Sequence, residues 1–545
     1  MNPLLLILLA PAAATLLLFF VGSESKRTVR TVATLAAGLS LAAAAWLFLG
    51  FHDAPVGASA GSHAYKHVLK VDWVPALGLS FHLGVDGMGV AMVLLTAITF
   101  FTGTMVSWRV QVRVKEYYIN LLALVVGVFG VFMSLDLFFY YFFYELAVIP
   151  MFLLIGAWGS TTKTVDQRYA TMKLVLVLSA GAALALVGLI ATYLEAGRIL
   201  GAGTFDMVQL EIASRQFSSA FQMTWFWPVF LGFAALVPMW PLHSWSPAGH
   251  AAAPAAVSML HAGVLMKLGA FGILRLALTW YPEAAHAYLP WVGVLCCFNI
   301  LYGGLVAVSQ RDMKLVIGYS SSSHMGYVLL GIASLTALGL DGAVFLMFAH
   351  GVMTALAFSL IGFFYDQTHT RMLDDLGGMM KVMPFVGTCF VIASMASAGL
   401  PGFANFVSEL MVILGAWQST TIWGKLPAIL AVWGLVVTGV YLLRTVKDAW
   451  FGELNPRWRG LRDARTVGER APFVLLVAVL LFLGFWPRPM LEMIQHGTKP
   501  LMERIEATRP GGAHAQAPAA PGDASAHDAA GAGGAHAGGA AQEAR

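Results

Sequence analysis

Charge is scarce in this 545-residue sequence: Lys, Arg, Asp and Glu together make up 11% of it. A soluble domain carries about a quarter of its residues as charges. With 59% hydrophobic residues and a mean hydropathy of +0.75, no water-soluble fold of this length can hide its apolar surface. A soluble enzyme, a nucleic-acid binder and a disordered scaffold are thereby excluded. Cysteine is nearly absent too. Cys296, Cys297 and Cys389 all lie in apolar runs, which argues against both a disulfide framework and a zinc site. Phosphate-cradling and dinucleotide-binding glycine motifs are missing, so the chain offers no obvious place for a nucleotide, haem or iron–sulfur cluster.

What is present is a series of apolar segments. A bilayer core about 30 Å thick needs roughly 20 apolar residues per helix, and the sequence predicts an all-α membrane protein of about fourteen spans. These are 3–21, 31–51, 82–106, 117–135, 137–156, 171–194, 224–242, 254–280, 288–308, 313–333, 341–363, 383–418, 426–446 and 471–487. Span 12 is too long for one crossing and is interrupted by Ala398-Gly-Leu-Pro-Gly402; span 7 carries Pro238 and Pro241. Both are expected to be discontinuous.

No Lys or Arg precedes span 1, whereas Lys26, Arg27 and Arg30 follow it. That polarity suits an anchor entering from outside rather than a cleaved signal. The loop set beginning with 22–30 holds 20 Lys and Arg, against 10 in the opposite set with the C-terminal tail. The positive-inside rule makes the first set cytoplasmic and leaves both termini on the periplasmic side of a bacterial-type inner membrane. Net charge, +4, reports topology here before it reports a ligand. Residues 507–545, rich in Ala, Gly and His, read as a disordered tail.

A few ionisable groups lie deep in spans, where they are costly and therefore functional candidates. Glu145 sits in span 5, Lys267 and Arg275 in span 8, His324 in span 10, His350 in span 11 and Glu409 just beyond the break in span 12. Helix packing in lipid uses small residues and weak polar contacts and needs no such array. A proton wire does need it: groups of near-matched proton affinity, close enough for water to bridge. Broken spans 7 and 12 are each the fourth of a five-span block, spans 4–8 and 9–13. Their matched positions predict two repeats, inverted because each block has an odd number of spans. The organisation is then 1–116 (spans 1–3), 117–280 (first repeat), 288–446 (second repeat), 447–506 (a cytoplasmic loop and the last span) and the tail.

Four motifs carry a resemblance. They are Pro238-Met-Trp-Pro-Leu-His-Ser-Trp-Ser-Pro247 with His250, Ala253-Pro-Ala-Ala-Val-Ser-Met-Leu-His-Ala-Gly-Val-Leu-Met-Lys-Leu-Gly269, Tyr319-Ser-Ser-Ser-Ser-His-Met-Gly-Tyr327 and Leu400-Pro-Gly-Phe-Ala-Asn-Phe-Val-Ser-Glu409. In order and spacing they resemble the antiporter-like subunits of respiratory complex I. The glutamate at 409, where the L and N branches carry lysine, is similar to the chain M branch of NADH-quinone oxidoreductase. So is the end of the chain soon after span 14, without the long lateral helix of chain L.

The resemblance implies a proton-translocating module with no redox centre of its own, driven by quinone reduction elsewhere. NADH, FMN, iron–sulfur clusters and quinone would belong to partner subunits, L-like and N-like paralogues would be membrane-arm neighbours, and any enzyme class would be that of the assembled complex. It further implies Glu145 as the span 5 carboxylate, Lys267 as the central relay, His324 and His350 as connectors and Glu409 as the terminal group, with His243 as a secondary contributor on the inner side.

One departure matters: Leu236 stands where the family places a lysine to partner Glu145. His261 is either a replacement cation or a histidine bonded to a neighbouring helix, since it lies about 120° off the Lys267 face. Three alternatives share the signature or its loss: a cation/proton antiporter subunit, a membrane-bound hydrogenase arm and a non-pumping structural paralogue.

Overall fold

The computed structural model describes residues 2–61, 63–420 and 425–509; the tail beyond 509 lies outside them. The chain is a helical, multi-pass membrane protein, and among the described residues eleven helices are long and apolar enough to cross a bilayer. Most of the expected segments overlap a single helix, and the expected span numbers serve below as labels. Spans 1 to 6 are Pro3–Phe20, Lys26–Gly50, Gly87–Val106, Val114–Met133, Leu137–Trp158 and Gln167–Leu200. Spans 8 to 11 are Ala255–Leu278, Pro282–Ser309, Met313–Ala333 and Ala337–Thr368. Leu426–Trp450 and Val467–Phe485 complete the series as spans 13 and 14.

Spans 8 and 11 form the centre, for their apolar windows are wholly buried, whereas only 28% of the last span's window is. Small residues let the helices approach closely, as packing in lipid requires. Gly181 of span 6 and Gly232 of span 7 face one another so tightly that a β-carbon on Gly232 would stand 2.6 Å from the Gly181 carbonyl oxygen.

Spans 7 and 12 are both broken. Span 7 runs Ser219–Leu236, unwinds, and resumes as Trp245–Ala252. Asn299 of span 9 holds the break: its Oδ1 accepts from the Trp240 N–H, and its Nδ2 donates to the carbonyls of Pro238 (3.0 Å) and Ser322 (2.8 Å). The carbonyls at the far end of this piece, the negative end of a helix dipole, meet two cations. Arg371 donates to Ala251 and Lys314 to Ala253, at 2.6 and 2.5 Å. Span 12 divides into Pro384–Ser397 and Ala404–Gln418 around Gly399 (φ +68°) and Gly402 (φ +99°).

The all-α expectation needs a correction. A three-stranded antiparallel sheet, β1 Val56–Ala60, β2 His63–Val74 and β3 Leu79–Val85, precedes span 3. The helix therefore begins at Gly87, not at residue 82. The apolar run through 82–85 continues smoothly into the helix, so hydropathy alone places no boundary there. Asp86 does: its side chain accepts from the Gly89 N–H and caps the helix. A second addition is the amphipathic helix Arg488–Ala507, which buries Met490, Met493, Ile494, Leu501 and Ile505 on one face. It is anchored by Thr498 and Gln495, which donate to Asp341 at the start of span 11.

Candidate functional site

Four of the deep ionisable groups converge on the centre of the bundle from four different spans. Lys267, His350, His324 and Glu409 are at most 1% exposed. Lys267 Nζ lies 2.8 Å from His350 Nδ1, and it also donates to the carbonyl of Ala262. The ring centroids of His350 and His324 are 5.2 Å apart. His324 Nε2 in turn lies 3.3 Å from Glu409 Oε1.

Local structure sets each position. Span 8 contains two π-helical segments, His261–Leu265 and Ile273–Leu278, which bracket Lys267. Such turns are rare and concentrate at functional sites. His324 is held by its own helix and by the break in span 12. Its Nδ1 is 2.8 Å from the Ser320 carbonyl, and its Nε2 is 3.1 Å from the Ser397 carbonyl freed by that break. Both ring nitrogens therefore face acceptors, an arrangement fully satisfied only when both carry hydrogen.

Glu409 requires glycine opposite it. A β-carbon on Gly399 would stand 2.5 Å from Glu409 Oε2, and the backbone there is left-handed as well. Asn405, one turn before Glu409, is buried with no hydrogen-bond partner at either amide atom among the described residues. Tyr441 of span 13 donates to Ser320 Oγ at 2.7 Å and steadies the His324 turn.

The other candidates fall elsewhere. Glu145 is half-buried and makes no salt bridge among the described residues; its partner is Tyr141, one turn back on the same helix. Leu236 is fully buried, and its helix meets span 5 through Phe233, whose ring is 6.1 Å from those of Tyr140 and Tyr144. The structure thus does not bring Glu145 into the Lys267 chain.

His261 stacks between Trp245 (5.2 Å) and His250 (3.9 Å), and all four nitrogens of the two histidines lack a protein hydrogen-bond partner among the described residues. His250 was visible in the motif, but only the fold shows it against His261. His243 sits in the span 7 break, edge-on to Tyr302 at 5.4 Å. Arg275 belongs to a separate cluster, with Asp86 at 2.6 Å and both His63 and Tyr65 at 3.2 Å. None of these three partners carries a helical-depth signal, because two sit on a strand and one caps a helix. Among the described residues, no group of three or more His, Cys, Asp or Glu is placed to hold a metal ion.

Broken helices lining a buried row of titratable side chains define an ion-translocating membrane module. The chain belongs to the NADH:quinone oxidoreductase/Mrp antiporter transmembrane family, whose model matches residues 134–434. It is 35% identical over 515 residues to NADH-quinone oxidoreductase subunit M of Rhodobacter capsulatus, covering 93% of this chain and 97% of that one. Its fold matches a chain of respiratory complex I from Thermus thermophilus with a TM-score of 0.80 at 27% identity, covering 92% of this chain and 99% of that one. A chain of the Mrp complex from Dietzia sp. DQ12-45-1b shares the fold with a TM-score of 0.78 at 22% identity, over 93% of this chain and all of that one. The protein is accordingly an antiporter-like membrane subunit of the complex I kind, similar to subunit M.

Proposed function

We infer that this chain is a proton-translocating membrane-arm subunit of NADH-quinone oxidoreductase. The observation that carries the reading is the buried row Lys267–His350–His324–Glu409, with steps of 2.8, 5.2 and 3.3 Å across spans 8, 11, 10 and 12. At the first step the ammonium of Lys267 gives its proton to His350 Nδ1, leaving a neutral amine. A bridging water carries it between the rings. His324 then passes its Nε2 proton to the carboxylate of Glu409, which moves it onto the second broken helix. Each group gains and loses its proton in turn, so one positive charge per proton passes along the row and no side chain keeps an added charge.

In this reading the helices form fourteen spans with inverted five-span repeats at 4–8 and 9–13. The broken fourth member of each supports it. The Lys- and Arg-rich loops face the cytoplasm of a bacterial-type inner membrane, and both termini face the periplasm. L-like and N-like paralogues flank the chain, and NADH, FMN, iron–sulfur clusters and quinone reside in partner subunits. Glu145, half-buried on the outer side of span 5, acts apart from the central row. Leu236 favours a second reading, a structural paralogue that remains in the arm without pumping.

Purification of the assembled complex through this chain tests the assignment. NADH:quinone reductase activity and two antiporter-like partners, L-like and N-like, are expected. Recovery instead with small antiporter subunits or a nickel hydrogenase would place it in a different machine.

A further inference from the structure

Beyond the central row, the molecule holds a second buried set of titratable groups that the translocation steps do not use. It lies at the far end of span 8, on the side of the Lys- and Arg-poor loops. His63 of β2 is 3% exposed and sits between two carboxylates. Its Nε2 is 3.1 Å from Asp86 Oδ2, and its Nδ1 is 3.3 Å from Glu211 Oε2. Arg275 Nη1 also approaches Nε2, at 3.2 Å, while Nη2 binds Asp86 Oδ1 at 2.6 Å. Tyr65 completes the set, accepting from Arg275 at 3.2 Å and lying 3.4 Å from Glu211 Oε2.

Within the set itself the charges do not balance without a proton. Asp86 and Glu211 bring two negative charges and Arg275 one positive, so a proton on His63 makes the cluster neutral. Nε2 has two possible partners, and the choice depends on that proton. Neutral His63, with hydrogen on Nδ1 for Glu211, presents a lone pair to the Arg275 N–H. Protonated His63 donates from Nε2 to Asp86 instead and repels the guanidinium, because two cations then face each other. Arg275, always charged, stands two turns from Lys267 on the same helix, within the π-helical segment Ile273–Leu278.

The cluster itself is closed, and an opening lies beside the Glu211 backbone. A cavity of 310 Å³ is lined by Gly61, Ser214, Arg215 and Arg504, and Ser214 Oγ donates to the Glu211 carbonyl at 2.7 Å. Arg215, Arg504, Glu283 and Glu503 are the further charges lining it, two of each sign, with Arg504 acting on Glu211.

We propose that His63 is a proton-binding site for the discharge side of the membrane, and that its occupancy positions span 8 through Arg275. The inference rests on the proton-translocating function proposed above, with protons discharged on the periplasmic side. His63 is a positioning residue: protons accumulating outside load it, loosen Arg275 from β2 and alter the setting of the helix that carries Lys267. Burial alone would lower its proton affinity, but the hydrogen bonds to Asp86 and Glu211 outweigh this and hold its pKa above the usual 6.5.

The test uses the whole complex in proteoliposomes, with turnover followed as the discharge-side pH varies from about 5.5 to about 8.5, the range of histidine titration. The wild type is expected to show one transition with a midpoint above 6.5. His63→Gln should abolish it, and Glu211→Gln should move it down by about one pH unit, the effect of losing an adjacent carboxylate. An absent wild-type transition, or one retained unchanged in His63→Gln, overturns the proposal. If His63→Gln does not assemble, Glu211→Gln decides: an unmoved midpoint overturns it. Failure of the pump reading looks different, because Lys267→Ala would then leave the proton yield intact whatever the pH profile.

Discussion

Lys267 Nζ stands 2.8 Å from His350 Nδ1, with both side chains sealed from solvent. Each becomes a cation on taking up a proton, and two cations at that distance in an apolar core repel strongly. The pair therefore holds one proton in common, and a proton arriving from either side displaces the other onward. That coupling links span 8 to span 11, and His324 and Glu409 extend it across the second half of the molecule.

Glu409→Gln keeps the shape of the terminal acceptor and removes its capacity to take a proton. Proton flux through the reconstituted complex should fall by about 10²-fold or more, the usual contribution of a positioned proton-transfer group. The amount of assembled complex should be unchanged. Flux near the wild-type level would show that protons bypass this residue.

Gly399→Ala tests the geometry around that carboxylate. The left-handed backbone should cost roughly 1–2 kcal/mol, and the added methyl must push Glu409 away from His324 because the space is 2.5 Å. A modest drop in Tm combined with a large loss of flux is expected. Full flux would mean that the Glu409 position is not critical.

Removing the Asn299 amide strikes the other broken helix. Asn299→Ala leaves the Trp240 N–H and the Pro238 carbonyl without this partner and takes a second donor from the helical Ser322 carbonyl. Each buried group left unpaired costs about 1–3 kcal/mol, so thermal unfolding in detergent should shift clearly downward. Asn299→Ala with an unchanged Tm would contradict the role assigned to this side chain.

Acid should loosen the three-stranded sheet through Asp206. Burial raises the pKa of this carboxyl, but hydrogen bonds from His82 and Lys70 outweigh it and hold the value at about 2, below the usual 3.8. A depressed folded-state pKa means that the stabilisation is present above 3.8 and is lost as pH falls towards 2. The loss of stability on acidification over that window should be smaller in Asp206→Asn than in the wild type. An identical acid response in the two proteins would remove Asp206 from the account.

Much of this architecture was legible because the bilayer imposes one rule on every span. Apolar length located the helices, and the Gly-Leu-Pro-Gly run located the span 12 break. The cost of charge at membrane depth singled out Lys267, His324, His350 and Glu409 before any contact was known. Depth along a helix does not say which neighbour a side chain faces, however. Hence Arg275, two turns from Lys267, belongs with β2 instead, while Glu145 pairs with Tyr141 on its own helix. His250 and His261 meet because span 7 breaks and returns, a tertiary consequence that periodicity along span 8 cannot express. The three-stranded sheet is not legible in the sequence, because its third strand runs without a hydropathy change into span 3.

The most direct measurement is the number of protons translocated per electron by the reconstituted complex carrying Lys267→Ala, at matched electron-transfer rate. A conduit that passes through Lys267 and His350 predicts a clearly lower yield than the wild type, with the complex intact. An undiminished yield would contradict the conduit and leave the buried row a purely structural feature.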